Sequence, residues 1–379
     1  MSSPVAIRIN DSIAEYLKSQ NEEITKSLKY SIEEFTKGFE LKGITTELTK
    51  KSVLSQLTRA YNSGRLTIVL GAGVSVDYGL PSWNTLLQTL LARTFKRDKS
   101  ENGRSLLFAE VFNNIFGPNA LVAARYLSNE YKEGKLEFEK EVRKLLYGQV
   151  KTDFTSPLMT ELVQLCAAPG KSPNLDSIIT YNYDDVLEAE LDKATIKVPY
   201  KSIFKIGQNP KQKELPIYHV HGYVPRKGNL TEDNQITLGE DLYHHQYTNV
   251  YNWQNLTQLN KFKDSSCLFI GSSLSDPNQR RLLDIANVQR GANNSPEHFI
   301  IKQRYSLNII RKKLKDFLEA NFDVFTKKEQ EGVDFDELAG FMIDAVHKFE
   351  NNDALSLGVQ VIWVDSHDEI PEILQNMRK

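Results

Sequence analysis

Leu66-Thr67-Ile68-Val69-Leu70, running straight into Gly71-Ala72-Gly73-Val74-Ser75, is the stretch whose reading decides the fold. A short apolar, β-branched run stopped by two glycines in three residues reads as a buried strand entering a tight turn. Ser82 follows as a helix cap, ahead of an apolar stripe at Leu86, Leu87, Leu90, Leu91 and Phe95. Strand, glycine turn and helix together are the opening unit of an α/β domain.

The same grammar recurs downstream. Ser177-Ile178-Ile179-Thr180-Tyr181 leads into Asn182, Ile217-Tyr218-His219-Val220 into His221-Gly222, and Cys267-Leu268-Phe269-Ile270 into Gly271-Ser272-Ser273. Phe299-Ile300-Ile301 and Val359-Gln360-Val361-Ile362-Trp363-Val364 complete the set. Apolar runs alternating with helical stretches indicate a doubly wound α/β fold, its mostly parallel sheet covered on both faces. Residues 1–60 read as a helical extension, with Ile13, Tyr16 and Leu17, then Ile24, Leu28 and Ile32, at helical spacing. Residues 61–379 form the main domain, with a helical insertion over about 100–168 whose core candidates are Leu145, Leu146, Leu158, Leu162 and Leu165. Four strands end in a polar or glycine-rich peptide, and in open α/β sheets ligands bind at that carboxyl edge.

Composition narrows the function classes. The 379 residues carry 47 basic and 49 acidic side chains, a net charge of −2 that asks for no polyanionic partner. The two cysteines, Cys166 and Cys267, form no CxxC pair and no disulfide framework, which points to a reducing cytoplasm. The N-terminus shows no signal-peptide core, and no apolar run approaches the ~20 residues that span a bilayer. A soluble cytoplasmic protein with no membrane association is expected.

Several candidate motifs are weaker than they look. Gly71-Ala-Gly-Val-Ser75 brings a backbone that could approach a pyrophosphate, yet Val76 stands where a Rossmann fingerprint needs its third glycine. Gly170-Lys171-Ser172 lacks the earlier P-loop glycine, Leu165 occupying that position, and prolines 169 and 173 flank it. His244-His245 cannot easily turn to one metal. The basic residues Lys302, Arg304, Arg311, Lys312, Lys313 and Lys315 lack the interleaved aromatics of a nucleic-acid surface and read as a solvated helix face.

Read to its end, the first loop is Gly71-Ala-Gly-Val-Ser75-Val-Asp-Tyr-Gly79-Leu80-Pro81-Ser82-Trp83. It resembles the GAGxSxxxGIP segment of the sirtuin superfamily. Thr180-Tyr181-Asn182-Tyr183-Asp184 resembles the superfamily's TxNxD peptide, His221-Gly222 its HG pair, and Gly271-Ser-Ser-Leu-Ser-Asp276-Pro-Asn278 its GxSLxDPN peptide. With Thr237-Leu-Gly-Glu-Asp241-Leu-Tyr243 between them, these variants look closer to the sirtuin-like NAD hydrolases of bacterial anti-phage defence. The resemblance covers about residues 62–290, and the strand and helix over 359–377 fit its end. Two departures stand out. The deacylases of the superfamily carry a zinc ribbon with two CxxC pairs, for which this chain has too few cysteines, so no metal is expected. Trp83 and Asn84 also replace the family's phenylalanine and arginine.

The resemblance implies an NAD glycohydrolase that cleaves NAD, its substrate, to nicotinamide and ADP-ribose. His221 is the expected general base or ribose-hydroxyl partner, because imidazole titrates near neutrality; His219 shares its face as packing or support. Asn182 is expected to hold the nicotinamide ribose or an attacking water, and Asp184 the nicotinamide amide. The cofactor-binding candidates are Gly71, Ala72, Gly73, Ser75, Trp83, Gly271, Ser272, Ser273, Asp276 and Asn278. Asp276 and Asn278 divide evenly between ribose contacts and helix capping, Trp83 between an aromatic wall and core packing. Two alternatives stay open: an NAD-dependent protein deacylase, and an inactive NAD or ADP-ribose binding scaffold. An unrestrained NAD hydrolase is toxic to its own cell. Because the sequence ends at 379 without a nucleotide-sensing domain, gating by a homo-oligomer or by a second protein such as a HerA-type ATPase is expected.

Overall fold

The computed structural model describes residues 10–19, 47–94, 120–130, 137–167, 175–237, 248–291, 298–321 and 333–378. Ile24, Leu28, Ile32, Phe95, the 170–172 peptide, residues 238–243 and the His244-His245 pair lie outside them. Among the described residues no helix is long and apolar enough to cross a membrane.

Seven strands, β1 (Leu66–Leu70), β2 (Ser177–Thr180), β3 (Tyr200–Ile203), β4 (Leu215–His219), β5 (Ser266–Ile270), β6 (His298–Gln303) and β7 (Val359–Val364), form one sheet in the order β3-β4-β2-β1-β5-β6-β7. The registered pairings from β3 across to β6 are all parallel. The chain leaves β1 toward β2 on one side and later places β5 on its other side, so the strand order reverses at β1. Register makes the carboxyl edge flush. Leu70 pairs with both Thr180 and Ile270, and Thr180 with His219, so four strands end on one row.

The helices are α1 (Asp11–Ser19), α2 (Glu47–Asn62), α3 (Trp83–Thr94), α4 (Ala120–Glu130), α5 (Glu137–Tyr147), α6 (Pro157–Leu165), α7 (Val186–Lys193), α8 (Trp253–Asp264), α9 (Pro277–Arg290), α10 (Leu307–Ala320), α11 (Phe335–Ser356) and α12 (Glu369–Arg378). Alternation along the strands divides the core in two. Leu66, Ile68 and Leu70 of β1 join Ile178, Ile217 and Leu268 on one face, packed with Leu57, Leu86, Leu90 and Leu162 from the helices. Val69, Ile179, Phe269 and Ile300 point to the other face, against Phe262 of α8 and Leu282, Leu283 and Ala286 of α9. Burying each such side chain contributes about 1.5–3 kcal/mol, and doing so on both faces is why apolar residues stand at successive strand positions. Cys166 belongs to the first cluster and Cys267 to the second.

Ser82 caps α3 as expected, its Oγ accepting from the Thr85 N–H at 3.2 Å, and Leu86, Leu87, Leu90 and Leu91 are its buried stripe. Three helices, α4, α5 and α6, are described within the 100–168 region. The strand that sequence reading misses is β3. Tyr200-Lys201-Ser202-Ile203 is a half-buried edge strand without an apolar run, so it carries no strong strand signal.

The chain divides into two units. One comprises residues 51–302 and 354–379 and carries the sheet; the other comprises residues 1–50 and 303–353. Within the first, Leu57 and Tyr61 of α2 are buried in the sheet's core, and the Tyr61 hydroxyl donates to the Leu165 carbonyl at 3.3 Å. Residues 51–60, read from sequence as part of the extension, thus pack as part of the sheet unit. In the second unit, Arg311 of α10 pairs with Asp336 of α11 at 2.9 Å.

Candidate active site at the strand switch point

The loops after β1 and β5 are locked together by glycine. The Gly71 N–H donates to the Ile270 carbonyl and the Gly73 N–H to the Gly271 carbonyl, each at 3.0 Å. A Cβ on Gly71 would lie 2.4 Å from the Gly271 oxygen, and one on Gly73 would lie 2.7 Å from the Gly271 Cα. Gly271 itself sits at φ +66°, which disfavours side chains as well as crowding Val74. The glycines that suggest a phosphate cradle therefore serve first to press two loops into contact. Beyond them, Ala72 and Gly73 remain exposed, at the start of a 3₁₀ helix over Ala72–Tyr78.

The loop after β2 is tied into this pair. Asn182 Nδ2 donates to the Gly71 carbonyl at 3.0 Å and reaches Ser75 Oγ at 3.4 Å. With its donors turned inward, the Asn182 carbonyl Oδ1 remains as the acceptor of that side chain. Ser75, buried, sits within hydrogen-bonding reach of both Asp184 oxygens, at 3.1 and 3.2 Å. Asp184 also accepts from the Val186 N–H at 3.1 Å, where α7 begins. Burial pushes the Asp184 carboxyl up to about 6, against the pull of the Val186 and Ser75 hydrogen bonds and with Glu188 and Asp185 adding to the rise.

His221 follows β4 on a turn. Its ring is buried, packs edge-on against Tyr181 at 4.7 Å, and places Nε2 3.6 Å from Asp276 Oδ2. Burial lowers its pKa below the usual histidine value, with Asp276 opposing, so the ring is held neutral at physiological pH. Gly222 is needed here because at φ +104° a Cβ would meet the Gln235 oxygen at 2.2 Å. The Thr237 N–H then donates to the His221 carbonyl at 2.7 Å, and the Tyr183 hydroxyl to the Thr237 carbonyl at 2.6 Å.

The loop after β5 completes the edge. Asp276 caps α9, Oδ1 accepting from the Gln279 N–H at 2.7 Å, while its other oxygen faces His221. Leu274 is buried at φ +60°, a left-handed conformation rare for a branched residue. Ser272 Oγ accepts its N–H and Arg280 donates to its carbonyl, bracing the strained residue from both sides. Ser273 is exposed and its hydroxyl bonds that of Ser275. Asn278 is turned away into the helix layer, where Nδ2 donates to Asn255 of α8 and Oδ1 accepts from Arg281. Trp83 is half-buried against the core. Gly71, Ser75, Asn182, Asp184, His221, Gly271 and Asp276 thus join four strand ends into one network.

Sequence reading anticipated His219 as packing or support but missed its partner, and it missed Asp185 altogether. His219 Nε2 lies 2.7 Å from Glu188 Oε1 of α7, both side chains buried. Asp185 accepts from the Arg226 N–H at 2.7 Å, and its own N–H donates to the Tyr147 hydroxyl, tying the loops after β2 and β4 together. An acid on the inward face of α7 and a histidine on a neighbouring strand are the only local signals, and neither identifies its partner without the fold.

A flush parallel edge with four interlocked loops at the switch point is the ligand-binding geometry of the doubly wound α/β class. Within that class, the family model described as a SIR2-like domain matches residues 176–324 of this chain. The chain is also similar to the NAD(+) hydrolase ThsA of Enterococcus faecium, 24% identical over 337 residues. That alignment covers 88% of this chain and 59% of the relative, so the chain spans about three-fifths of that protein's length.

Proposed function

We propose that this site hydrolyses NAD at the nicotinamide–ribose bond, releasing nicotinamide and ADP-ribose. The observation that carries the reading is the pairing of a fixed acceptor with a buried imidazole at one sheet edge. Asn182 has its donors committed to the loop after β1, which leaves Oδ1 to accept from a ribose hydroxyl or a water. His221, kept neutral by burial, has the form that takes up a proton. The nicotinamide ring is cationic and leaves as a neutral molecule, so the protein need only orient the ribose, admit one water and remove its proton. The water oxygen bonds to the anomeric carbon, the C–N electron pair goes to nicotinamide, and the proton passes to His221.

In this reading Asp184 works through Ser75 and the start of α7, orienting the loop against which Asn182 is bonded. Exposed Ala72, Gly73 and Ser273, with Ser272, supply the polar rim for phosphate and ribose. Asp276 tunes His221. The similarity to an NAD(+) hydrolase supports the substrate, and the motifs support it independently.

Incubating the purified chain with NAD and separating the products tests this directly. Nicotinamide with ADP-ribose is expected; an acyl-ADP-ribose formed only with an acylated peptide would mean a deacylase, and unchanged NAD a scaffold. We further propose that the activity depletes NAD in cytoplasmic anti-phage defence. Its gating would come through a homo-oligomer or a partner such as a HerA-type ATPase. Full activity of a light-scattering monomer would refute that gating.

A further inference from the structure

Asn182 lies beyond the end of β2, so the sheet ladder does not satisfy its backbone. Side chains do so instead: the Asn182 N–H donates to Thr180 Oγ1 at 3.1 Å, and its carbonyl faces His219 Nδ1 at 3.4 Å. Thr180 and His219 are register partners on neighbouring strands. The other His219 nitrogen meets Glu188 Oε1 at 2.7 Å, and Ser202 of β3 donates to that same oxygen at 2.8 Å. The imidazole also packs against the Tyr223 ring at 4.3 Å. A cavity of about 10 Å³, the space of one water, lies between this pair and the Ser75–Asp184–Asn182 cluster.

We propose that the buried Glu188–His219 pair is the positioning device for Asn182, governing turnover rather than folding; this rests on the NAD-cleaving reading above. A buried acid–imidazole contact is weak as a source of stability, since desolvation offsets its attraction and apolar residues of similar volume would serve the sheet as well. What an apolar pair would not supply is a donor for the Asn182 carbonyl. Both ring nitrogens face oxygens, so the ring orientation is set by Glu188 and passed to the peptide that aims the carboxamide. Small displacements of a positioned group are costly, a 1 Å shift reaching about 10²-fold in rate.

The test uses the full chain with His219→Leu, His219→Gln and Glu188→Gln. His219→Leu should lower kcat for NAD about 10- to 100-fold, the scale of a displacement up to about 1 Å, with KM within about twofold. His219→Gln, which keeps a donor, should recover part of the loss, and Glu188→Gln should fall between. Crystal structures of the variants give a readout independent of turnover, in which the Asn182 carboxamide should leave the Gly71 carbonyl in His219→Leu. The proposal is overturned if kcat is unchanged, if its loss merely follows the unfolded fraction, or if Asn182 stays in place. Should none of the variants fold, the pair is structural and the proposal also fails. If the parent chain leaves NAD intact, the functional reading fails separately, and the Asn182 position alone decides this inference.

Discussion

Asp184→Asn probes the most perturbed acid of the site, and its effect on stability can be worked through in sign and size. Burial raises the carboxyl from 3.8 to about 6 in the folded protein. Between those values the folded state binds more protons than the unfolded state, so stability falls as pH rises. The contribution is fully present below about 3.8 and lost as pH passes through about 6. At pH 5 the folded carboxyl is mostly protonated and the unfolded one mostly ionised, a ratio of about tenfold, or about 1.4 kcal/mol. At pH 8 both are ionised and the term vanishes. Asparagine keeps an acceptor for Ser75 or Val186 and does not titrate. Urea unfolding of the parent chain and Asp184→Asn at pH 5 and pH 8 should therefore show the parent losing about 1.4 kcal/mol relative to the variant as pH rises. Other carboxylates cancel in that difference. A difference that stays flat between the two pH values would refute the burial argument.

Four further outcomes are expected. Asn182→Ala and His221→Ala should each lose about 10²–10⁴-fold in NAD turnover while melting close to the parent; near-normal turnover in His221→Ala would sink the proposed chemistry. Gly71→Ala should cost about 1–3 kcal/mol and impair turnover, because its Cβ would fall 2.4 Å from the Gly271 oxygen; a parental melting curve would show the interlock is dispensable. Asp276→Asn keeps the α9 cap but removes the charge that raises the His221 pKa, so the acid limb of kcat/KM should move to lower pH. An unmoved limb would separate Asp276 from His221. Asp276→Ala should add about 1 kcal/mol of destabilisation from the lost cap.

Much of the architecture was legible in the residues because buried parallel strands announce themselves. Leu66–Leu70, the 177–180 and 267–270 runs and Val359–Val364 are rich in apolar and β-branched residues, and each emerged as a strand. The edge strand Tyr200–Ile203 escaped because a half-buried strand needs no such run. Helix starts were readable where a cap precedes a stripe, as at Ser82. Asp276 could not be apportioned between capping and the site from sequence, and the structure shows one oxygen in each setting.

By itself the sequence determined the class of fold, the order of four polar peptides and their place at strand ends, since periodicity and glycine turns are local properties. Only the tertiary structure decided what those peptides touch. Strand register put Leu70, Thr180, His219 and Ile270 on one row, which brought loops more than a hundred residues apart within hydrogen-bonding distance. It turned Asn278 into the helix layer, gave Gly71 and Gly73 to loop packing, and set Glu188 on His219. Burial then shifted His221 down and Asp184 up from their ordinary pKa values. Contact and desolvation depend on neighbours distant in the chain, and no local pattern records them.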